Sequence, residues 1–235
     1  RELLKNTPGS YLGSCRIKLP DPETDTEVYE RIFDVFKENG IDKFVYIGGN
    51  DSMDTVDKLS RYAKINNIDV SVVGAPKTID NDLAGTDHTP GFGSAARFVA
   101  SSVKEVARDS GVYAEKSITI IEIMGRNAGW LTAASALARS ENSTAPHLIY
   151  LPERPISREK IIEDVRNCPE TNIIIAVSEG IRDENGEYYC SQTTQSHDIF
   201  GHAQLAGCAK VVEGFLKEEF GYKMRSIELN VLQRC

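Results

Sequence analysis

Short apolar runs alternate along this chain with stretches whose apolar residues recur every three or four positions. Residues 25–39 place Val28, Ile32, Val35 and Phe36 at helical spacing, and Gly40 follows where a left-handed cap is wanted. Phe44-Val45-Tyr46-Ile47 reads as a strand that enters Gly48-Gly49. Residues 52–66 set Val56, Leu59 and Ala63 on one helical face, with Ser52 as the expected N-cap. Val70-Ser71-Val72-Val73 predicts a second strand, and a polar segment over 78–89 precedes a long helix marked by Phe92, Ala95, Val99, Val103 and Val106. The second half repeats the rhythm. The pattern predicts strands at 118–123, 147–150, 173–177 and 227–232, and helices at 127–138, 156–167 and 201–220. Trp130 and the phenylalanines are expected to pack the core.

Strand–helix alternation with near-continuous apolar strands implies an α/β fold whose parallel sheets are covered on both faces. The polar segment suggests a boundary near Gly91, giving parts 1–91 and 92–235. Lys+Arg 27 against Asp+Glu 35 leaves a net charge of −8 over 235 residues. An acidic chain is a poor general binder of nucleic acid or membrane surfaces, so neither partner is expected. The five cysteines include no Cys-x-x-Cys pair and the histidines show no metal spacing, so a reducing, cytoplasmic setting is the default. No apolar run approaches the ~20 residues that a membrane span needs.

Ligands of open parallel sheets bind beyond the carboxyl ends of the strands, so the residues just after each strand are the candidates. After the first strand come Gly48, Gly49, Asn50, Asp51 and Ser52. Paired glycines admit a ligand close to the backbone, and Asn50 and Asp51 offer oxygens to Mg²⁺; taken alone, the run reads first as a tight capped turn, since short Gly-rich turns are common. After the second strand, Lys77, Thr78, Asp80, Asn81 and Asp82 crowd into a few residues. Phosphoryl transfer to a hydroxyl needs a proton-accepting carboxylate, a cation for the phosphate and oxygen ligands for a metal, and all three are present. Met124-Gly125-Arg126 follows the third strand with a guanidinium that can fork onto a phosphate or pair with a surface carboxylate. Glu179 follows the 173–177 strand, where it could accept sugar hydroxyls or cap a helix, and Arg225 and Arg234 flank the expected last strand. The conjunction suits an enzyme acting on a phosphorylated small molecule with Mg²⁺.

Leu12-Gly13-Ser14-Cys15-Arg16, Gly48-Gly49-Asn50-Asp51-Ser52, residues 76–82, Met124-Gly125-Arg126, Ser178-Glu179-Gly180 and Leu232-Gln233-Arg234 resemble, in order and spacing, the phosphofructokinase family. The resemblance covers essentially the whole chain. It implies two Rossmann-like three-layer α/β/α lobes with mostly parallel sheets, incomplete at both ends, with 1–91 in the phosphoryl-donor lobe and 92–235 binding fructose 6-phosphate. It also implies that Asp80 is the base for the sugar 1-hydroxyl, and that Thr78 and Asp82 neighbour the sugar and the moving phosphoryl group. Met124, Gly125, Arg126, Glu179, Arg225 and Arg234 correspond to sugar-phosphate contacts, Arg225 to one reaching across a subunit interface of a homodimer or homotetramer. Arg126 would also stabilise the transferring group. Gly48, Gly49, Asp51, Lys77 and Arg16 correspond to donor contacts, and Asp51 with Asn50 to the Mg²⁺ site.

ATP-dependent members carry Gly-Gly-Asp-Gly-Ser and Pro-Gly-Thr. Asp51 and Lys77 stand here in place of the two variable glycines, which resembles the pyrophosphate-dependent branch. Asn50 stands where the family usually has a metal-binding Asp, Ser117 or Lys116 where bacterial ATP enzymes have an Arg, and Val231 where they have a His. The alternatives are an ATP-dependent kinase, or a non-catalytic regulatory subunit of the same fold. A plain nucleotide-binding module is disfavoured by the lack of a Gly-x-x-x-x-Gly-Lys loop. The chain starts with Arg and stops soon after the Leu-Gln-Arg run, so it reads as the interior piece of a longer enzyme and is expected to be inactive alone.

Overall fold

The computed structural model describes residues 2–6, 13, 17–192 and 207–234. Its elements are α1 (Glu2–Asn6), α2 (Glu27–Glu38), β1 (Lys43–Gly48), α3 (Asn50–Ile65), β2 (Ser71–Pro76), α4 (Phe92–Ser110), β3 (Ser117–Ile123), α5 (Trp130–Ala134), β4 (Leu148–Tyr150), α6 (Arg158–Asn167), β5 (Asn172–Ser178), α7 (Cys208–Phe220) and β6 (Lys223–Glu228). Of the described residues, those up to 46 and from 51 to 74 form one compact unit. Residues 47–50 and those from 75 onward form the other. The polar loop before Gly91 therefore clusters with the second unit. No described helix is long and apolar enough to cross a membrane.

The first unit is built on aromatic packing. Tyr29, Phe33 and Phe36 from α2 meet Leu59, Tyr62 and Ala63 from α3. Tyr29 stacks on Tyr62 at 4.9 Å between ring centroids. Helix α2 ends as the pattern predicts. Gly40 adopts φ 63°, while its N–H bonds Lys37 O at 3.2 Å and the Ile41 N–H bonds Phe36 O at 2.8 Å. Those two bonds satisfy carbonyls that the helix end would otherwise leave open. Strands β1 and β2 pair with each other.

The second unit is a four-stranded sheet in the order β4-β5-β3-β6, with β3 parallel to β5 and β6, and β4 parallel to β5. Its two central strands are buried on both faces, which is why they read as isoleucine runs. Ile118, Ile120, Ile173, Ile175 and Val177 pack with residues of α6 and α7. Ile121, Ile123, Ile174 and Ala176 pack with Ala95, Val99 and Val103 of α4. Ser157 caps α6, its hydroxyl accepting the Lys160 N–H at 3.2 Å.

Five expectations are corrected. The closing strand is β6, not 227–232. It is polar because, among the described residues, it pairs only with β3 at the sheet edge, and Asn230 then turns to φ 42° and opens a 3₁₀ segment, Asn230–Arg234. Arg225 consequently lies inside the strand rather than flanking it. Helix α3 starts at Asn50, so Ser52 sits in its first turn and is not the cap. The expected 127–138 helix begins only at Trp130 and tightens to 3₁₀ over Ser135–Ala138, because residues 125–129 are tied to neighbouring loops. Trp130 is 54% exposed, and Leu131 and Thr132 take the buried positions of that turn. The described part of the 201–220 helix is α7; residues 201–206 lie outside the described residues.

Candidate functional site

The register brings three strand ends of the second unit to one level. Ile123 pairs with Ser178, and Glu122 with Glu228. Residues 124–126, Ser178-Glu179-Gly180 and the 3₁₀ segment Asn230–Arg234 therefore leave the sheet side by side. The Gly125 N–H donates to Glu179 Oε1 at 3.2 Å, and the Met124 N–H to Gln233 Oε1 at 3.2 Å. The Ser178 hydroxyl donates to Gly125 O. Gly125 holds φ 136°, a conformation that side chains resist, and a Cβ on it would strike the Ala128 carbonyl. A Cβ on Gly180 would run into the Arg126 backbone.

The loop from Lys77 to Gly91 is fixed from within. Thr78 bridges to Gly91, and the Thr89 hydroxyl donates to Thr78 O at 2.6 Å. Asn81, buried with φ 55°, accepts the Thr89 N–H at 2.9 Å and donates to Asp87 O at 3.1 Å. Asn81 is thus a strut of the loop. On that strut, Asp80 receives the Thr78 hydroxyl at Oδ2 (3.4 Å), while its buried Oδ1 has no hydrogen-bond partner among the described residues. The buried Nε of Arg126 is unpartnered in the same sense. Buried polar atoms are normally satisfied, so two open ones of complementary type mark a place where a ligand completes the bonding.

The electrostatics agree. Burial raises the proton affinity of Asp80, and the Asp82 charge adds to the rise. The Thr78 hydroxyl, Arg234 and Arg126 pull it back. Burial pushes Glu179 up to about 7, opposed by the Gly125 N–H and reinforced by the negative charge of Asp80. Thr78, Asp80, Met124, Gly125, Arg126, Glu179 and Arg234 therefore belong to one neighbourhood that can accept a proton and hold an anion.

The remaining candidates fall as follows. The Gly48 carbonyl accepts the Lys77 N–H at 2.8 Å. A Cβ on Gly49 would find Lys77 O at an ordinary 3.7 Å, so the chain itself leaves room there. Lys77 and Asp82 are exposed, and Asn50 donates to Asp82 Oδ2 at 2.8 Å. Asp51 is exposed in the first turn of α3, within the other compact unit. Arg225 stands opposite Thr119 and pairs with Asp109 at 2.9 Å. That register is four residues, roughly 13 Å, short of the strand end, so the structure does not bring Arg225 to the cluster. Arg16 lies outside the described residues. Asp82 and Asn50 supply one carboxylate and one amide oxygen, and no group of three acidic, His or Cys side chains among the described residues is placed to hold a metal ion. Such a sparse set fits Mg²⁺ that draws most of its ligands from water and a phosphate substrate.

Two buried residues had no assigned role in the sequence. Glu122 accepts the Gly207 and Ala209 N–H groups at 3.3 and 2.8 Å, an anion at the start of α7. Its position on the α7 face follows from the alternation with Ile118 and Ile120, the one available signal. Gln233 is the other.

The family model for phosphofructokinase matches residues 2–228. A pyrophosphate–fructose 6-phosphate 1-phosphotransferase of Xanthomonas campestris pv. campestris (strain B100) is 43% identical over 235 residues, 98% of this chain and 56% of the relative. A sulfofructose kinase of Alkalicoccus urumqiensis is 34% identical, covering 100% of this chain and 59% of that protein. Among solved structures, a pyrophosphate-dependent phosphofructokinase from Marinobacter aquaeolei superposes with a TM-score of 0.80 at 35% identity, covering 99% of this chain and 53% of that one. The chain thus spans about half the length of the curated relatives it matches.

Proposed function

The chain belongs to the phosphofructokinase family, and from that premise we propose that it provides the sugar-phosphate half and part of the donor half of a cytoplasmic, homo-oligomeric, pyrophosphate-dependent 6-phosphofructokinase. The reaction moves a phosphoryl group from pyrophosphate to the 1-hydroxyl of fructose 6-phosphate. The observation that supports it most is the pairing of open atoms, Asp80 Oδ1 and Arg126 Nε, in one buried neighbourhood. A carboxylate of raised proton affinity is a stronger proton acceptor than an exposed aspartate, so Asp80 takes the hydroxyl proton as the new P–O bond forms. The Thr78 hydroxyl holds the other carboxylate oxygen. Arg126 offers its N–H groups to the charge on the moving phosphoryl group, and Arg234 offers a second cation to the sugar 6-phosphate. Glu179, held by the Gly125 N–H, faces the sugar hydroxyls.

Lys77, Gly48, Gly49 and Arg16 are assigned to pyrophosphate. Asn50 and Asp51 would hold Mg²⁺, which when bound neutralises charge on the pyrophosphate oxygens, and Asp82 is assigned beside the sugar and the moving phosphoryl group. The relative of 43% identity is named for the same two substrates. In the complete enzyme, Asp80→Asn is expected to lower kcat by about a hundredfold or more while fructose 6-phosphate affinity changes less than about threefold. A fall of less than about tenfold removes Asp80 from the role of base.

A further inference from the structure

We infer that Gln233 is a positioning residue: one buried amide seats the 124–126 loop and Arg234 together, so that Arg126 meets the moving phosphoryl group and Arg234 the sugar 6-phosphate from a shared frame. This rests on the reading of Arg126 and Arg234 given above. Gln233 is 2% exposed, although Val231 and Leu232 before it are 57% and 59% exposed and Arg234 after it is also exposed. A buried amide needs partners for both ends. Its Oε1 accepts the Met124 N–H at 3.2 Å, and its Nε2 donates to Asn230 O at 3.1 Å. The first bond fixes the loop two residues before Arg126. The second closes the 3₁₀ segment that ends in Arg234, opposite the left-handed turn at Asn230. An apolar side chain of similar size could fill the space but would make neither bond. A space-filling role and a positioning role therefore separate by experiment.

The test uses the complete protein with Gln233→Leu and Gln233→Glu. In Gln233→Leu, the ligand-free Met124 amide is expected to exchange hydrogen at least about tenfold faster. The KM for fructose 6-phosphate should rise at least about tenfold while that for pyrophosphate stays within about twofold. Gln233→Glu keeps the acceptor for Met124 but loses the donor to Asn230 O when ionised. Its fructose 6-phosphate KM, as a ratio to the parent, should be raised at least about tenfold near pH 8, where the carboxylate is ionised and has no donor for Asn230 O. Unchanged exchange at Met124 in folded Gln233→Leu overturns the inference, whatever the activity. If that variant fails to fold, a Gln233→Glu ratio near one under those conditions overturns it. Faster exchange in Gln233→Leu, when the parent does not turn over pyrophosphate with fructose 6-phosphate, sinks the proposed function instead, and the amide tie stands.

Discussion

Glu179 is the residue whose surroundings most alter its chemistry. Its folded pKa, about 7 against an ordinary 4.5, means that the folded protein binds more protons than the unfolded chain between those values. Stability contributed there is present below pH 4.5 and is lost as pH rises to about 7, an effect of about 3 kcal/mol. Asp80 and Glu122 shift in the same direction. Glu179→Gln should therefore gain stability relative to the parent as pH is raised across that window, read as the variant-minus-parent difference in urea unfolding. A difference that is flat with pH contradicts the burial that causes the shift. Lys77 and Asp51 belong to the same scale. Both are exposed, and each replaces a glycine of the ATP-dependent pattern. Lys77→Gly with Asp51→Gly is expected to gain measurable ATP use in the complete enzyme. Unchanged donor preference would assign that choice to other residues.

The elements explain which parts of the site could be read in the sequence. β3 and β5 are buried on both faces, so their apolar runs locate Met124 and Glu179 at strand ends without a structure. The polar crowding after β2 marks Thr78 and Asp80 in the same way. β6 gives no such signal, because an edge strand needs few apolar residues, and the run from Ile227 to Leu232 mimics a strand that Asn230 breaks. Trp130 misleads for a related reason. Apolar spacing alone does not reveal that its turn buries Leu131 and Thr132 instead. Glu122 is legible only as an interruption in a strand, since its partners lie 85 and 87 residues away. Its two bonds to the first turn of α7 are worth more than a surface contact. Glu122→Ala is expected to cost about 2 to 3 kcal/mol, and Glu122→Gln, which keeps one acceptor, roughly half of that. An alanine variant within about 0.5 kcal/mol of the parent in urea unfolding would show that water satisfies those N–H groups.

At the scale of the whole molecule, the second compact unit contains every residue proposed to act on the sugar phosphate. Of the residues proposed for the donor, Asp51 belongs to the first unit and Arg16 lies outside the described residues. The donor is accordingly the choice on which the whole account turns. The family membership shows a phosphofructokinase fold, whereas pyrophosphate as donor is a proposal that rests on Asp51, Lys77 and the names of similar proteins. The most direct measurement is the initial rate of fructose 1,6-bisphosphate formation by the complete enzyme, with Mg²⁺ and fructose 6-phosphate, comparing pyrophosphate with ATP. The account predicts turnover with pyrophosphate and a kcat/KM for ATP lower by about a hundredfold or more, equivalent to about 2.7 kcal/mol of transition-state stabilisation. Turnover with ATP and none with pyrophosphate would contradict it.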